Sequence, residues 1–366
     1  MITPVEFRRH LHRNPELSFK EFESAEYIMS ALKSAGIECE RVAQTGVLAR
    51  ISKGERRERA IVLRADIDAL PIREESGVEW SSNREGVMHA CGHDIHAAVL
   101  YGALCRLLNE EFEGSVLGLF QPAEESNPGG AQLVLDENPF AGYDVVAVIG
   151  EHVEPELEVG ELGFKAGKYM AGNDEIYFEL SGRGGHAAMR HITQDTVSAA
   201  SELILKLTSL NKRDLILSIG RVEALGATNV IPDKVSMQGT LRTFDEGMRR
   251  DVKCEIAKIC EEQSARCSMN IEFKVKEGYP SVVNDVELTN RAIALAKSVG
   301  LKVKNLDLRA TSEDFGRYCE KYPSLFYRLG VGGSSGRVHT STFNPDEEAI
   351  DVGIDFMLRL GCDLLK

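Results

Sequence analysis

Apolar and polar positions change rhythm twice along the chain. In the first half, short continuous apolar runs at residues 60–65 (AIVLRA), 115–120 (SVLGLF) and 145–149 (VVAVI) predict strands. Between the first two, residues 95–108 repeat at helical spacing, with Ile95, Ala98, Val99, Gly102 and Cys105 on one face. Continuously apolar strands separated by helices predict a sheet covered on both faces, the signature of an α/β domain.

From residue 175 the period shortens to two. Ile176, Phe178 and Leu180 alternate with Glu175, Tyr177 and Glu179. A helix over 195–210, strands at 215–222 and 234–243, a helix over 246–267 and a strand at 271–275 follow. Met248, Val252, Ile256, Ile259 and Cys260 form the apolar stripe of the second helix. The order β-α-β-β-α-β is the split βαβ pattern of a ferredoxin-like domain. After Gly278 the α/β character resumes, with helices over 287–299 and 347–365 and a strand at 325–329. The pattern predicts a small α+β domain, residues 171–277, inserted into a larger α/β domain of residues 1–170 and 278–366. Two α/β domains in series are the plainer alternative.

Length agrees with a division, since 366 residues exceed the roughly 150 of one ordinary domain. The 43% hydrophobic and 27% charged content is that of a soluble globular chain. No run of apolar residues is long enough for a membrane helix. The first fifteen residues are polar, with Arg8, Arg9, His10, His12 and Arg13, and offer no apolar core for a secretory signal. Eight cysteines in so long a chain are not a disulfide framework, so the expectation is a cytoplasmic protein. The formal charge of −14 disfavours nucleic acid and anionic membranes as partners.

Position makes the polar residues informative. The strand at 60–65 runs into Asp66 and Asp68, that at 115–120 into Glu124 and Glu125, and that at 145–149 into Glu151 and His152. The strand at 325–329 runs into a loop with Gly330, Gly332, Gly333 and Gly336, then His339. Sites in open α/β sheets form outside the carboxyl ends of strands. A fifth cluster, His89-Ala90-Cys91-Gly92-His93-Asp94-Ile95-His96, precedes the first strong helix. Cys91 and His93 flank one glycine and can reach one centre, and His93 and His96 can share a helix face. Thiolate, imidazole and carboxylate are the ligand types of zinc and its neighbours.

Each residue alone has an ordinary explanation. A single histidine is more often a surface or core residue than a ligand, and Cys91 more often a small hydrophobe. Asp66 and Asp68 could satisfy loop amides, and Glu124 and Glu125 could open a solvated helix. Requiring all of this at four strand ends at once is the poorer explanation. Adjacent Glu124 and Glu125 suit a division of labour, one coordinating metal while its neighbour faces a water as general base.

Nine stretches carry a more specific signal: RRHLHRNPELSFKEFES (8–24), LRADIDALPI (63–72), MHACGHDIHAA (88–98), FQPAEE (120–125), GRGGHAA (182–188), TNVIPD (228–233), GTLRTFDE (239–246), SEDF (312–315) and HTSTFNPDEEA (339–349). In this order the chain resembles the dinuclear metallo-amidohydrolases and peptidases related to aminoacylase and carboxypeptidase G, in the branch of hippurate hydrolases and indole-acetyl-amino-acid hydrolases. The resemblance implies a metallopeptidase-like catalytic domain interrupted by a ferredoxin-like lid that also forms homodimers. It implies two divalent metal ions, zinc foremost with manganese and cobalt as alternatives, held by Cys91, His93, Glu125, His152 and His339. Glu124 matches the general base, His186 the histidine that stabilises the oxyanion, Asn229 and Arg242 the substrate contacts, and Asp68 a carboxylate that orients a ligand. Two departures bear on substrate choice: Met189-Arg190-His191 replaces a stretch with proline, and Glu151 stands where an apolar residue usually precedes His152.

The implied reaction is hydrolysis of an N-acyl amino acid (acetyl, benzoyl or aryl-acyl) to a carboxylate and a free amino acid. Lid closure would bring His186 into play, with Gly182, Gly184 and Gly185 giving the loop room to move. A dipeptidase or carboxypeptidase-like enzyme is the neighbouring alternative, and a catalytically silent binding protein of the same fold a more distant one. Cys91 as a thiol nucleophile, activated by nearby histidines, is a third reading that leaves the carboxylates without a role.

Overall fold

The computed structural model describes residues 2–334 and 336–366. Two compact units emerge. The larger comprises the chain up to Tyr169 together with Val283–Asp307 and Asp314–Lys366, and the smaller Met170–Val282 with Leu308–Glu313.

The larger unit is built on an eight-stranded sheet in the order Glu38–Val42, Gly46–Lys53, Gly114–Gln121, Arg59–Asp66, Asp144–Glu154, Ser324–Gly330, Glu161–Phe164, Lys302–Asn305. Its four middle strands run parallel. They are the continuously apolar ones, and every residue of Gly114–Gln121 is buried. Antiparallel strands close both sides of this parallel centre. Helix His93–Leu107 is buried nearly all round and packs against Glu348–Leu364. Gly102 permits that approach, since a Cβ there would lie 2.2 Å from Ile354 Cδ1. Each leucine so enclosed, Leu100 and Leu104 among them, contributes about 1.5–3 kcal/mol.

The apolar run at 145–149 does not end the third strand, which continues to Glu154. Ser324–Gly330 pairs with it from Val148 through Glu154, so a neighbouring strand satisfies the backbone of its polar residues. His152 therefore sits on a strand and not in the loop beyond it.

The smaller unit has a four-stranded antiparallel sheet in the order Leu215–Glu223, Lys234–Thr243, Gly172–Ser181, Asn270–Glu277. Helices Thr196–Thr208 and Glu246–Cys267 complete the β-α-β-β-α-β order. Ile176, Phe178, Leu180, Leu203, Leu217, Met237 and Ile256 form its core. Asp195 and Asp245 cap the two helices by accepting the Ser198 and Met248 amides. Among the described residues, no helix is long and apolar enough to cross a membrane.

Candidate metal centre

The carboxyl ends of the middle strands converge on one group of side chains. Strand alternation separates His152 from its neighbour. His152 lies edge-on to Phe326, whereas Glu151 accepts the Tyr327 hydroxyl (2.8 Å) amid packing by Phe164 and Phe356. Glu151 is fully buried, and burial pushes its carboxyl up to about 8. Its side chain belongs to the core, which corrects the expectation that it bears on substrate choice.

Cys91 Sγ lies 3.3 Å from His152 Nε2 and 3.2 Å from His339 Nε2. His339 Nε2 is 3.3 Å from Glu125 Oε1, which is 4.0 Å from His93 Nε2. Donor atoms of Cys91, His93 and His152, of Cys91, Glu125 and His339, and of His93, Glu124 and Glu125 form three groups, each within 4.8 Å. Two rings are fixed from behind. His93 Nδ1 meets the Asp68 carbonyl (2.9 Å) and His152 Nδ1 the Val153 carbonyl (2.8 Å), which leaves both Nε2 atoms turned inward. His339 adopts a left-handed backbone (φ 62°), and its amide donates to the Ala90 carbonyl beside Cys91.

The electrostatics favour positive charge at His93 and His339. Burial opposes protonation of His93, yet Asp66, Cys91 and Asp68 together hold its pKa well above the ordinary value. The hydrogen bond to Cys91, then the facing Glu125 carboxylate, raise His339 to about 10. Burial, then Glu125, raises the Cys91 thiol. Burial, with Arg328 and His96 nearby, keeps His152 neutral. The same field attracts a cation. His93 Nε2 and Glu125 Oε1 are buried without hydrogen-bond partners. Inward-facing imidazoles, a thiol and carboxylates with orphaned atoms fit a divalent ion.

His96 groups with Asp66 and His93, apart from the thiol. Its Nδ1 meets Asp66 Oδ1 (2.5 Å) and its Nε2 accepts the Val153 amide (2.9 Å), so both ring nitrogens are spent. Burial holds it below its ordinary pKa, and as a neutral ring it braces the residue after His152.

Asp68 accepts the amides of Glu124 (3.1 Å) and Glu125 (3.0 Å) and the Ser18 hydroxyl (2.7 Å) while facing His93. Arg64 ties Asp66 to Asp314, and Asp314 also accepts from Gln121 and the Ala131 amide. Ser18, Arg64 and Asp314 are supports that the sequence pattern does not single out. Their stretches, 8–24, 63–72 and 312–315, were the available signal.

The remaining expected residues lie in the smaller unit. His186 pairs with Val230 in a two-residue ladder, and the Ala187 amide donates to the Asn229 carbonyl, so His186 and Asn229 are neighbours. Both are exposed, as is Arg190. Arg242 donates to the Ala310 carbonyl (2.8 Å). Gly184 permits a close approach, because a Cβ there would lie 2.4 Å from the Ile231 carbonyl oxygen.

Residues 62–361 match the model of peptidase family M20/M25/M40. An N-acetyl-L-cysteine deacetylase of Bacillus subtilis is 40% identical over 94% of this chain and 84% of its own. An N-acetyldiaminopimelate deacetylase of Pediococcus pentosaceus is 35% identical over 97% of this chain and 95% of its own. The crystal structure of a Bacillus subtilis dinuclear metal-binding peptidase from the M20 family superposes with a TM-score of 0.88 at 35% identity, covering 99% of this chain and 97% of that one.

Proposed function

Because the chain belongs to peptidase family M20/M25/M40, we propose that it is a metal-dependent amidohydrolase that cleaves N-acyl amino acids to a carboxylate and a free amino acid. The observation that carries this reading is the buried donor cluster in which His93 Nε2 and Glu125 Oε1 face inward beside Glu124 without a hydrogen bond. The deacetylase names of the relatives support a preference for small acyl groups, acetyl first, over benzoyl and aryl-acyl groups.

Cys91, His93, Glu125, His152 and His339 would hold two divalent ions. The thiol leans the set toward zinc, with manganese and cobalt as alternatives. Bound there, the ions would supply Lewis-acid chemistry, acidifying a water and polarising the amide carbonyl. Glu124 takes the water's proton and delivers it to the departing amine nitrogen. Its amide is pinned by Asp68 and its side chain is nearly buried, which fits a base held in one orientation. Asp68 also fixes the His93 ring, orienting one ligand while setting the base. The family resemblance assigns oxyanion stabilisation to His186 and substrate contacts to Asn229 and Arg242. We place the enzyme in the cytoplasm as a homodimer formed through the smaller unit, whose exposed Val222, Leu225 and Val230 support that assembly.

Glu124→Gln tests the reading. It keeps the shape of the side chain and leaves the five proposed ligands, so metal content measured by mass spectrometry should match wild type. Turnover of N-acetyl amino acids should fall at least about 100-fold, the usual scale for a general base. Unchanged turnover would remove Glu124 from this role.

A further inference from the structure

The stretch 8–24 has no part in the chemistry above, yet it reaches the centre's supports from one side. Arg8 Nε (2.6 Å) and His12 Nδ1 (2.9 Å) hold Asp94, the residue after His93. Ser18 holds Asp68. Glu21 reaches furthest. Its Oε1 accepts the amide of Ala123 (2.8 Å), 102 positions away, and its Oε2 accepts the Thr45 hydroxyl (2.7 Å). Glu21, Thr45 and Ala123 are all buried.

Ala123 is the hinge of the turn that presents Glu124 and Glu125. Its φ is 53°, a left-handed conformation that a residue with a Cβ adopts only when its surroundings impose it. Here they do so from both sides of the residue. Glu21 takes the Ala123 N–H, and the Gly130 amide donates to the Ala123 carbonyl (3.0 Å). The next two amides belong to Asp68. Three consecutive amides thus rest on two buried carboxylates, one before the base and one at it. Burying a carboxylate is costly, and this one meets its solvation need at the strained peptide.

We propose that Glu21 is a positioning residue for the reaction: by accepting the Ala123 amide it holds the left-handed turn and so aims the Glu124 carboxylate. The proposal rests on Glu124 acting as the general base. Without the acceptor, Ala123 relaxes toward ordinary backbone and the direction of the following side chain swings with it. A displacement of about 1 Å in a reacting group can cost about 100-fold in rate, while substrate binding elsewhere is untouched. The signature is therefore a loss in kcat and not in KM.

The experiment compares wild type, Glu21→Leu and Glu21→Gln, loaded with equal zinc, on N-acetyl-L-cysteine and a panel of other N-acetyl amino acids. Hydrogen exchange of the peptide spanning residues 121–126 is followed alongside. Glu21→Leu fills the space without an acceptor. It should lose 10- to 100-fold in kcat with KM within about threefold, and exchange should quicken in this turn without quickening across the chain. Glu21→Gln keeps an oxygen for the Ala123 amide and should recover kcat and exchange to within about threefold of wild type. If Glu21→Leu does not fold, Glu21→Asp, which withdraws the acceptor by one methylene, carries the same expectation as Glu21→Leu. A folded acceptor-less variant with wild-type kcat and wild-type exchange overturns the proposal, as does one whose losses follow global destabilisation. If wild type cleaves none of the substrates, the functional reading has failed, and the exchange arm alone decides whether Glu21 holds the turn.

Discussion

At the scale of single residues, side-chain chemistry and side-chain service were unequally legible. Cys91, His93, Glu124, Glu125, His152 and His339 are conspicuous because thiol, imidazole and carboxylate groups stand at strand ends, and the structure brings them together. His96 carries the same chemistry but stands with Asp66 and His93, apart from the thiol, and its two nitrogens already meet Asp66 and Val153. Only the geometry distinguishes them. Glu21 is the opposite case, because its partner is a backbone amide in another part of the chain and no local pattern betrays it. Its ionisation gives a prediction of its own. Burial, with Asp68 nearby, pushes Glu21 from 4.5 up to about 7. Between those values the folded protein holds a proton that the unfolded chain has released. Stability therefore falls as pH rises through this window, and the cost is complete above about 7. Glu21→Gln cannot ionise. Its melting temperature should exceed that of wild type by several degrees at pH 8, and the gain should vanish near pH 4.5. An equal difference at both pH values would show that the Glu21 proton is not linked to folding.

At the scale of elements, periodicity located the four parallel strands of the larger sheet, but neither their ends nor the four outer strands, Glu38–Val42, Gly46–Lys53, Glu161–Phe164 and Lys302–Asn305. The third parallel strand runs to Glu154 because Ser324–Gly330 pairs beside it, a fact outside the local sequence. The turn after Gly114–Gln121 likewise depends on a distant contact. Gly130 opens the next helix against the Pro122 carbonyl, where a Cβ would lie 1.8 Å from the oxygen. The obstacle is backbone, so it cannot step aside as a flexible side chain would. Gly130→Ala should therefore push the Glu124–Glu125 turn outward, cost about 1–3 kcal/mol of stability in a melting experiment, and lower kcat by at least tenfold. A variant with unchanged kcat would show that this clamp does not set the geometry of the base.

At the scale of the whole molecule, the change from a continuous apolar rhythm to a period of two marked where an antiparallel α+β unit begins. The return of Leu308–Glu313 to that unit carries no comparable signal, being a brief excursion made by tertiary contact. The family match over residues 62–361 and the convergence of parallel strand ends lead to the same chemistry by separate routes. That chemistry is metal-dependent hydrolysis of an N-acyl amino acid. Its most direct test is release of free amino acid from acetyl-, benzoyl- and indole-acetyl-amino acids by protein stripped of metal and then reloaded with zinc, manganese or cobalt. The stripped protein should show no turnover, and reloading should restore it, with acetyl substrates foremost. Turnover that survives complete metal removal, or silence with every metal on every substrate, would contradict metal-dependent hydrolysis.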